Sequence, residues 1–190
     1  MTSEGSSTYS TKKRGPGMPG MRGLDHLGLT VPDVDAAVDI FCDVLGCEEL
    51  YTLGIFKVEE GDWMTKHSNV HARAEITNIR MIRIGQSANV ELFEYEAPDK
   101  REELPRNSDN DAGHLCFYGV DIFAAVEYLK SEGVMILGEP SLNVGAEAGE
   151  YWCYFPSPWG ATLELVSYPA GRGYEQQTSK RTRDVRNPAA

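Results

Sequence analysis

The order of hydrophobic and polar positions along this chain repeats once. Apolar runs of strand length recur in two halves, and each half contains one segment with the three- and four-residue spacing of an amphipathic helix. The strands predicted for the first half are 24–31, 48–56, 74–84 and 88–95. Those predicted for the second half are 114–120, 134–137, 150–155 and 162–168. The pattern therefore predicts two modules, each with a helix after its first strand.

Both predicted helices begin at an aspartate. Asp33 and Asp121 precede the amphipathic segments, where a carboxylate accepts hydrogen bonds from the first free backbone amides. Gly46 and Gly133 are placed to end these helices. The apolar face expected for the first helix consists of Val34, Ala37, Val38, Phe41 and Leu45. Mixed polarity over 57–73 favours an inserted loop or short helix in the first module.

The repeat brings a histidine and a glutamate to corresponding positions in each half. Each module opens with a histidine, His26 or His114, seven residues before the capping aspartate. The closing segments align as Ala-Asn-Val-Glu-Leu and Ala-Thr-Leu-Glu-Leu, which matches Glu91 with Glu164. Strand alternation places these side chains on the less apolar face. Two imidazoles and two carboxylates form a donor set for a divalent metal ion.

Each of these residues also has an ordinary explanation. A single strand histidine or glutamate is more often a solvent-facing residue than a ligand. Two matched pairs on equivalent strands reverse that preference, and an unpaired glutamate between apolar neighbours would be costly to bury. We therefore expect one divalent ion per chain, bound by His26, Glu91, His114 and Glu164.

Composition divides the chain into modules and tails. The expected units are a flexible Ser-, Thr-, Gly- and Pro-rich tail (1–21), the first module (22–98), a polar linker (99–112), the second module (113–170) and a basic tail (171–190). The five cations of the last segment favour a solvated tail. A strap over a neighbouring module or subunit is the alternative.

Charge and cysteine content limit the kinds of partner and the cellular location that can be expected. A net charge of −11 argues against nucleic acid and anionic membranes. No apolar run is long enough to span a bilayer, and none follows the basic cluster 12–14 as a secretory signal requires. The four cysteines show no Cys-x-x-Cys spacing, so we expect reduced, mostly buried thiols in a cytoplasmic protein. A small molecule is the expected partner, with the chain acting as a monomer or homodimer.

The motifs resemble those of the vicinal oxygen chelate superfamily, which includes glyoxalase I, methylmalonyl-CoA epimerase, extradiol dioxygenases and the fosfomycin- and bleomycin-resistance proteins. They are the segments 25–28, 90–92, 113–115 and 155–165 and the helix start at 33. The resemblance covers about 22–168. It implies an α+β fold in which two βαβββ modules form a curved mixed sheet, or half-barrels, around a metal site.

The resemblance also narrows the reaction. The order His, Glu, His, Glu is similar to that of glyoxalase I and the epimerases, which implies proton transfer next to a carbonyl, with Glu91 and Glu164 as catalytic carboxylates. Zinc is the first choice of ion, and nickel, cobalt, manganese or iron also suit mixed nitrogen and oxygen ligands. A glyoxalase-I-like lyase is the alternative. A non-catalytic binding or antibiotic-resistance protein and a ring-cleaving dioxygenase remain further alternatives.

Three other residues are candidates for holding the substrate. His71 and Arg73, in the inserted segment, and Tyr95, at the end of the last strand of its module, are expected to line the mouth of the site. Solvent-exposed loop histidines are an equally good explanation of the first. The segment 69–73 and the tail 173–175 are similar to the branch of the superfamily that includes cyclitol (2-epi-5-epi-valiolone) epimerases. A small hydroxylated substrate such as a cyclitol is therefore expected.

Overall fold

The computed structural model describes residues 18–110 and 112–187. The elements of the first module are β1 His26–Thr30, α1 Val34–Val38, β2 Glu48–Leu53, β3 Phe56–Lys57, α2 Trp63–Ser68, β4 Glu75–Arg83 and β5 Asn89–Glu96, and a π-helical segment Asp39–Val44 extends α1. Those of the second module are β6 Leu115–Tyr118, α3 Ile122–Ser131, β7 Leu137–Leu142, β8 Tyr151–Pro156 and β9 Thr162–Ser167, with short 3-10 turns at Gly145–Glu147 and Gly173–Gln176.

The two modules have the same sheet topology. The first sheet has the order β1-β5-β4-β2, with β3 also paired to β4, and the second has the order β6-β9-β8-β7. In each, the first strand runs parallel to the last, while the remaining pairs are antiparallel. The parallel pairing is possible because a helix carries the chain across the sheet after the first strand. The predicted α+β fold of two βαβββ modules is thus confirmed.

The predicted helix boundaries depend on local chemistry and are confirmed. Asp33 Oδ1 accepts a hydrogen bond from the Ala36 amide at 2.9 Å, and Asp121 Oδ1 accepts one from the Ala124 amide at 3.1 Å. Gly46 follows the first helix with φ of +69°, a conformation that side chains disfavour.

The hydrophobic core joins the two modules. The first cluster is built from α1, its π-helical extension, β4 and β5, and Leu115, Phe117 and Trp159 of the second module pack against it. The second cluster is built from α3, β8 and β9, and Val44 and Leu45 of the first module pack against it. The shared core therefore lies on the helix-bearing side of both sheets.

One strand prediction is wrong. The apolar stretch 134–137 was expected to be a strand, but β7 is Leu137–Leu142, and Val134 and Ile136 instead pack into the core as the chain leaves α3. The strand β7 lies at the edge of its sheet, has an irregular register with β8 and contains Pro140. An edge strand tolerates polar residues and proline, because one side of it needs no hydrogen bonds. The predicted strand 48–56 is also divided, into β2 and β3.

The basic C-terminal segment lies on the protein surface as a strap. Arg183 Nη1 donates to the Ser87 carbonyl at 3.0 Å, and its Nη2 donates to the Gln86 carbonyl, so the segment reaches the β4–β5 turn of the first module. The guanidinium of Arg172 stacks on the Tyr168 ring at 3.8 Å. The alternative interpretation of this segment, a strap, therefore fits better than a solvated tail. Most of the predicted N-terminal tail, residues 1–17, lies outside the described residues.

All four cysteines are free thiols, as expected. Of these, Cys153 alone is buried, so the expectation that they are mostly buried is wrong. Within residues 18–110 and 112–187, no helix has the length and apolar character that a membrane crossing requires.

Candidate metal centre and substrate cavities

The first module pairs His26 with Glu91 across β1 and β5. His26 Nε2 lies 3.4 Å from Glu91 Oε2, and the other ring nitrogen donates to Asp25 Oδ2 at 2.8 Å. The hydrogen bond to Asp25, with a smaller contribution from the charge of Glu91, raises the pKa of His26 above its ordinary value. Because Asp25 accepts the proton of Nδ1, Nε2 is the ring nitrogen that faces the Glu91 carboxylate.

The second module pairs His114 with Glu164 in the same way. His114 Nε2 lies 2.8 Å from Glu164 Oε2. The ring of Tyr154 packs edge-on against His114, with centroids 5.4 Å apart, and burial together with the charge of Glu164 raises the pKa of the tyrosine. Cys116 lies opposite Glu164 in the β6–β9 register, where the first module has Gly28 opposite Glu91.

These pairs are two half-sites, not one cluster. Across the described parts of the chain, no three His, Cys, Asp or Glu side chains are grouped closely enough to hold a metal ion. Each pair presents one imidazole nitrogen and one carboxylate oxygen to the same space. That donor chemistry fits half of the predicted ligand set.

The alternation of the last strands explains this separation. Glu91 lies between Val90 and Leu92, which belong to the shared core, so its side chain is on the opposite face of the sheet. Glu164 has the same relation to the buried leucines on either side of it in the second core cluster. The half-sites therefore lie on the faces of the two sheets that the shared core leaves uncovered. Strand β1 begins at His26 and β6 begins directly after His114, and both strands are sheet edges.

A cavity of about 360 Å³ opens beside the second half-site. It is lined by His114 and Glu164 together with Asn143, Glu150 and Arg172 and the aromatic rings of Trp152 and Tyr154. Asn143, Glu150 and Arg172 are not among the site residues predicted from the sequence. A glutamate at the start of an apolar strand was the available signal, because such a residue needs a partner if it is buried.

The predicted substrate residues of the first module lie elsewhere. His71 and Tyr95 line a larger cavity of about 870 Å³, whose lining includes neither His26 nor Glu91. Arg73 does not line it, because its guanidinium donates to the carbonyl groups of Val58 and Gly61. The structure thus places two of the three together and separates the third from them.

Comparison with known sequences gives two matches that agree. Residues 25–154 match the sequence model described as the Glyoxalase/Bleomycin resistance protein/Dioxygenase superfamily. Over 169 residues, the chain is 47% identical to a protein of Actinomyces sp. named 2-epi-5-epi-valiolone epimerase, a match that covers 88% of this chain and 91% of that protein.

Solved structures match the fold at low identity. A glyoxalase family protein from Bacillus cereus is 18% identical, with a TM-score of 0.58 over 79% of this chain and 97% of that one. A glyoxalase family protein from Enterococcus faecalis is 16% identical, with a TM-score of 0.55 over 77% of this chain and 98% of that one. At such identities the likeness concerns the fold alone.

Proposed function

Because this chain belongs to the Glyoxalase/Bleomycin resistance protein/Dioxygenase superfamily, we propose that it is a divalent-metal-dependent epimerase. It transfers a proton next to the carbonyl of a small hydroxylated substrate, and 2-epi-5-epi-valiolone is the first candidate. One observation carries the proposal: two matched His–Glu pairs occupy equivalent strands in a chain that is 47% identical to a relative with that name.

The proposed ion is held by His26, Glu91, His114 and Glu164. Hydrogen bonding of His26 Nδ1 to Asp25 supports this, because it leaves Nε2 as the donor nitrogen, the arrangement usual for ligating histidines. Zinc is the first choice, and nickel, cobalt, manganese or iron would also accept this mixed set.

The two half-sites are joined between two copies of the chain. Unpaired edge strands are natural surfaces for association, and both β1 and β6 are edges that begin next to a ligand histidine. Setting β1 of one copy beside β6 of another brings His26 towards the partner copy's second half-site. A twofold homodimer of this kind holds two equivalent ions.

The carboxylates supply the proton transfer. The ion, when bound, stabilises the negative charge that develops on the substrate's carbonyl oxygen. Glu164 lies at the cavity wall and is placed to take the proton from the adjacent carbon. Glu91, on the other half-site, is placed to return a proton to the opposite face. Together these two roles invert one carbon centre without any redox cofactor.

The proposal is tested by solvent-deuterium incorporation into 2-epi-5-epi-valiolone, with elemental analysis of the same samples. The wild type is expected to exchange one carbon-bound proton and to contain one ion per chain. His26→Ala and His114→Ala should each lose both metal and exchange. Wild-type protein that lacks metal or leaves the substrate undeuterated would contradict the proposal.

Mixing the two inactive variants tests the shared site. A one-to-one mixture that exchanges subunits should recover about one quarter of wild-type activity, because half of the dimers pair two different chains and each of those has one intact site. If each chain assembled its own ion site, the mixture would recover nothing.

A further inference from the structure

The cavity of the second module contains an ion pair between a buried glutamate and a half-buried arginine, and the proton transfer does not use it. Glu150 is 4% exposed, and its Oε2 accepts hydrogen bonds from the guanidinium of Arg172. Its Oε1 accepts a hydrogen bond from Asn143 Nδ2 at 3.1 Å. We propose that Asn143, Glu150 and Arg172 form a subsite that recognises the hydroxyl groups of a cyclic polyol and fixes its ring beside Glu164. This inference rests on the proposed function and assigns its substrate specificity.

The energetics of the pair favour a role in binding over one in stability. Burying a carboxylate such as that of Glu150 is costly, and apolar residues of similar volume are often neutral or stabilising in place of a buried ion pair. The three side chains nevertheless face a water-accessible cavity. A charged pair is expected at the wall of such a cavity if a polar ligand binds there and completes the hydrogen-bond network.

The network leaves polar atoms for a ligand. Within the described residues, the hydrogen bonds of these side chains use Nδ2 of Asn143 and Nε and Nη2 of Arg172. Asn143 Oδ1 and Arg172 Nη1 therefore remain as one acceptor and one donor. Adjacent ring hydroxyls, each of which both donates and accepts, match such a pair of groups.

The rest of the cavity suits a small ring. Its volume of about 360 Å³ lies near the lower end of roughly 300–1,000 Å³ found for small-molecule pockets. Trp152 and Tyr154 supply aromatic faces for the C–H groups of the ring, and their own rings pack edge-on at 5.2 Å. Glu164 lines the same space, so the polyol subsite and the reacting carboxylate share one cavity.

The C-terminal strap holds Arg172 in place before a ligand arrives. The Gly173 amide donates to the Ala148 carbonyl at 2.9 Å, and a Cβ built on Gly173 would lie 2.4 Å from the Gly145 carbonyl oxygen. This close approach is possible for glycine alone. Together with the stacking of Arg172 on Tyr168, it fixes the guanidinium before binding and so reduces the entropy lost there.

The experiment compares two substrates. The first is 2-epi-5-epi-valiolone, and the second is 2-hydroxycyclohexanone, which keeps the hydroxyketone but lacks the other hydroxyls. Asn143→Ala and Arg172→Lys should lower kcat/KM for the polyol by tenfold or more. Solvent-deuterium exchange of 2-hydroxycyclohexanone should stay within about twofold of the wild-type rate. Arg186→Lys is the matched control, because Arg186 also lies over the Tyr168 ring, at 5.4 Å, but is outside the cavity.

A structural role would give a different result. Loss of fold or of ion binding lowers the exchange of both substrates equally, and that outcome would overturn the inference, as would unchanged kcat/KM for the polyol in both cavity variants. Calorimetric titration of metal-free protein with myo-inositol separates the inference from the proposed function. Wild type that binds this cyclitol, with the affinity lost in Asn143→Ala, supports the subsite even if no epimerisation occurs. Absence of both myo-inositol binding and substrate discrimination would refute it.

Discussion

The two modules hold the same His–Glu pair in the same strand register, but they surround it differently. In the first, His26 Nδ1 donates to Asp25, the position opposite Glu91 is Gly28, and the 870 Å³ cavity of the module is not lined by Glu91. In the second, a closer pair, 2.8 Å against 3.4 Å, opens into a polar cavity. Under the proposed function, the first half-site mainly binds the ion, while the second half-site also contacts the substrate.

The origin of this difference lies outside the repeated strands. The cavity of the second module is completed by the loop between β7 and β8 and by the C-terminal strap, which contributes Arg172. The corresponding connection of the first module, between β2 and β4, contains β3 and the inserted helix α2, whose Met64 is buried in a separate small cluster. The two modules thus share the His–Glu pairs, while unequal loops give each pair a different environment.

The largest effect is expected when the glutamate of each half-site is replaced by glutamine. Glu164→Gln should keep most of its metal and lose at least about a hundredfold in proton-exchange rate, the low end for a general base. Glu91→Gln should lose less, because Glu91 does not line the cavity. The measurement is solvent-deuterium incorporation alongside metal content. If both variants keep metal and near-normal exchange, the base lies elsewhere, and His71 or Tyr95 is next to test.

A second change removes Asp25, the carboxylate that accepts the hydrogen bond from Nδ1 of His26. Asp25→Asn should weaken ion affinity by about tenfold at pH 8, since partners behind a ligating histidine are typically worth 10–100-fold. The loss reports ring orientation and basicity, because Asp25 holds the Nδ1 proton of His26. Competition with a chelator of known affinity measures it. Equal affinity in the variant and the wild type would show that Asp25 is only a surface residue.

The smallest effect is expected at Gly28. A Cβ built there would lie at an ordinary contact distance of 3.5 Å from the Phe93 ring, and the φ of Gly28 is not positive. Gly28→Ala should therefore raise the free energy of unfolding by about 0.4–1 kcal/mol, because alanine has fewer conformations than glycine in the unfolded chain. Thermal unfolding measures this, and Cys116→Ala in the second module is the matched variant. A fall in melting temperature would show that the strand needs glycine.

Much of the fold was predictable because its signals are local. The capping aspartates, the helix-ending Gly46 and the alternation around Glu91 each depend on residues within a few positions, and all lie as predicted. The wrong strand at 134–137 has the opposite cause. An edge strand such as β7 needs few apolar residues, while an irregular segment beneath a core can be fully apolar. Periodicity cannot separate these two cases.

Two βαβββ modules, each with one histidine and one glutamate at neighbouring strands, could be predicted from the sequence alone. Those facts follow from repetition, capping and the two-residue period of a strand, which short stretches specify. The separation of the pairs into two half-sites and the position of Arg172 in the cavity beside the second one follow from the tertiary fold. The fold also directs the Arg73 guanidinium to backbone carbonyls, although the Arg73 amide donates to His71 Nδ1. These features depend on which faces of the two sheets the shared core covers. That packing is determined jointly by residues far apart in the chain, so no short stretch of sequence specifies it.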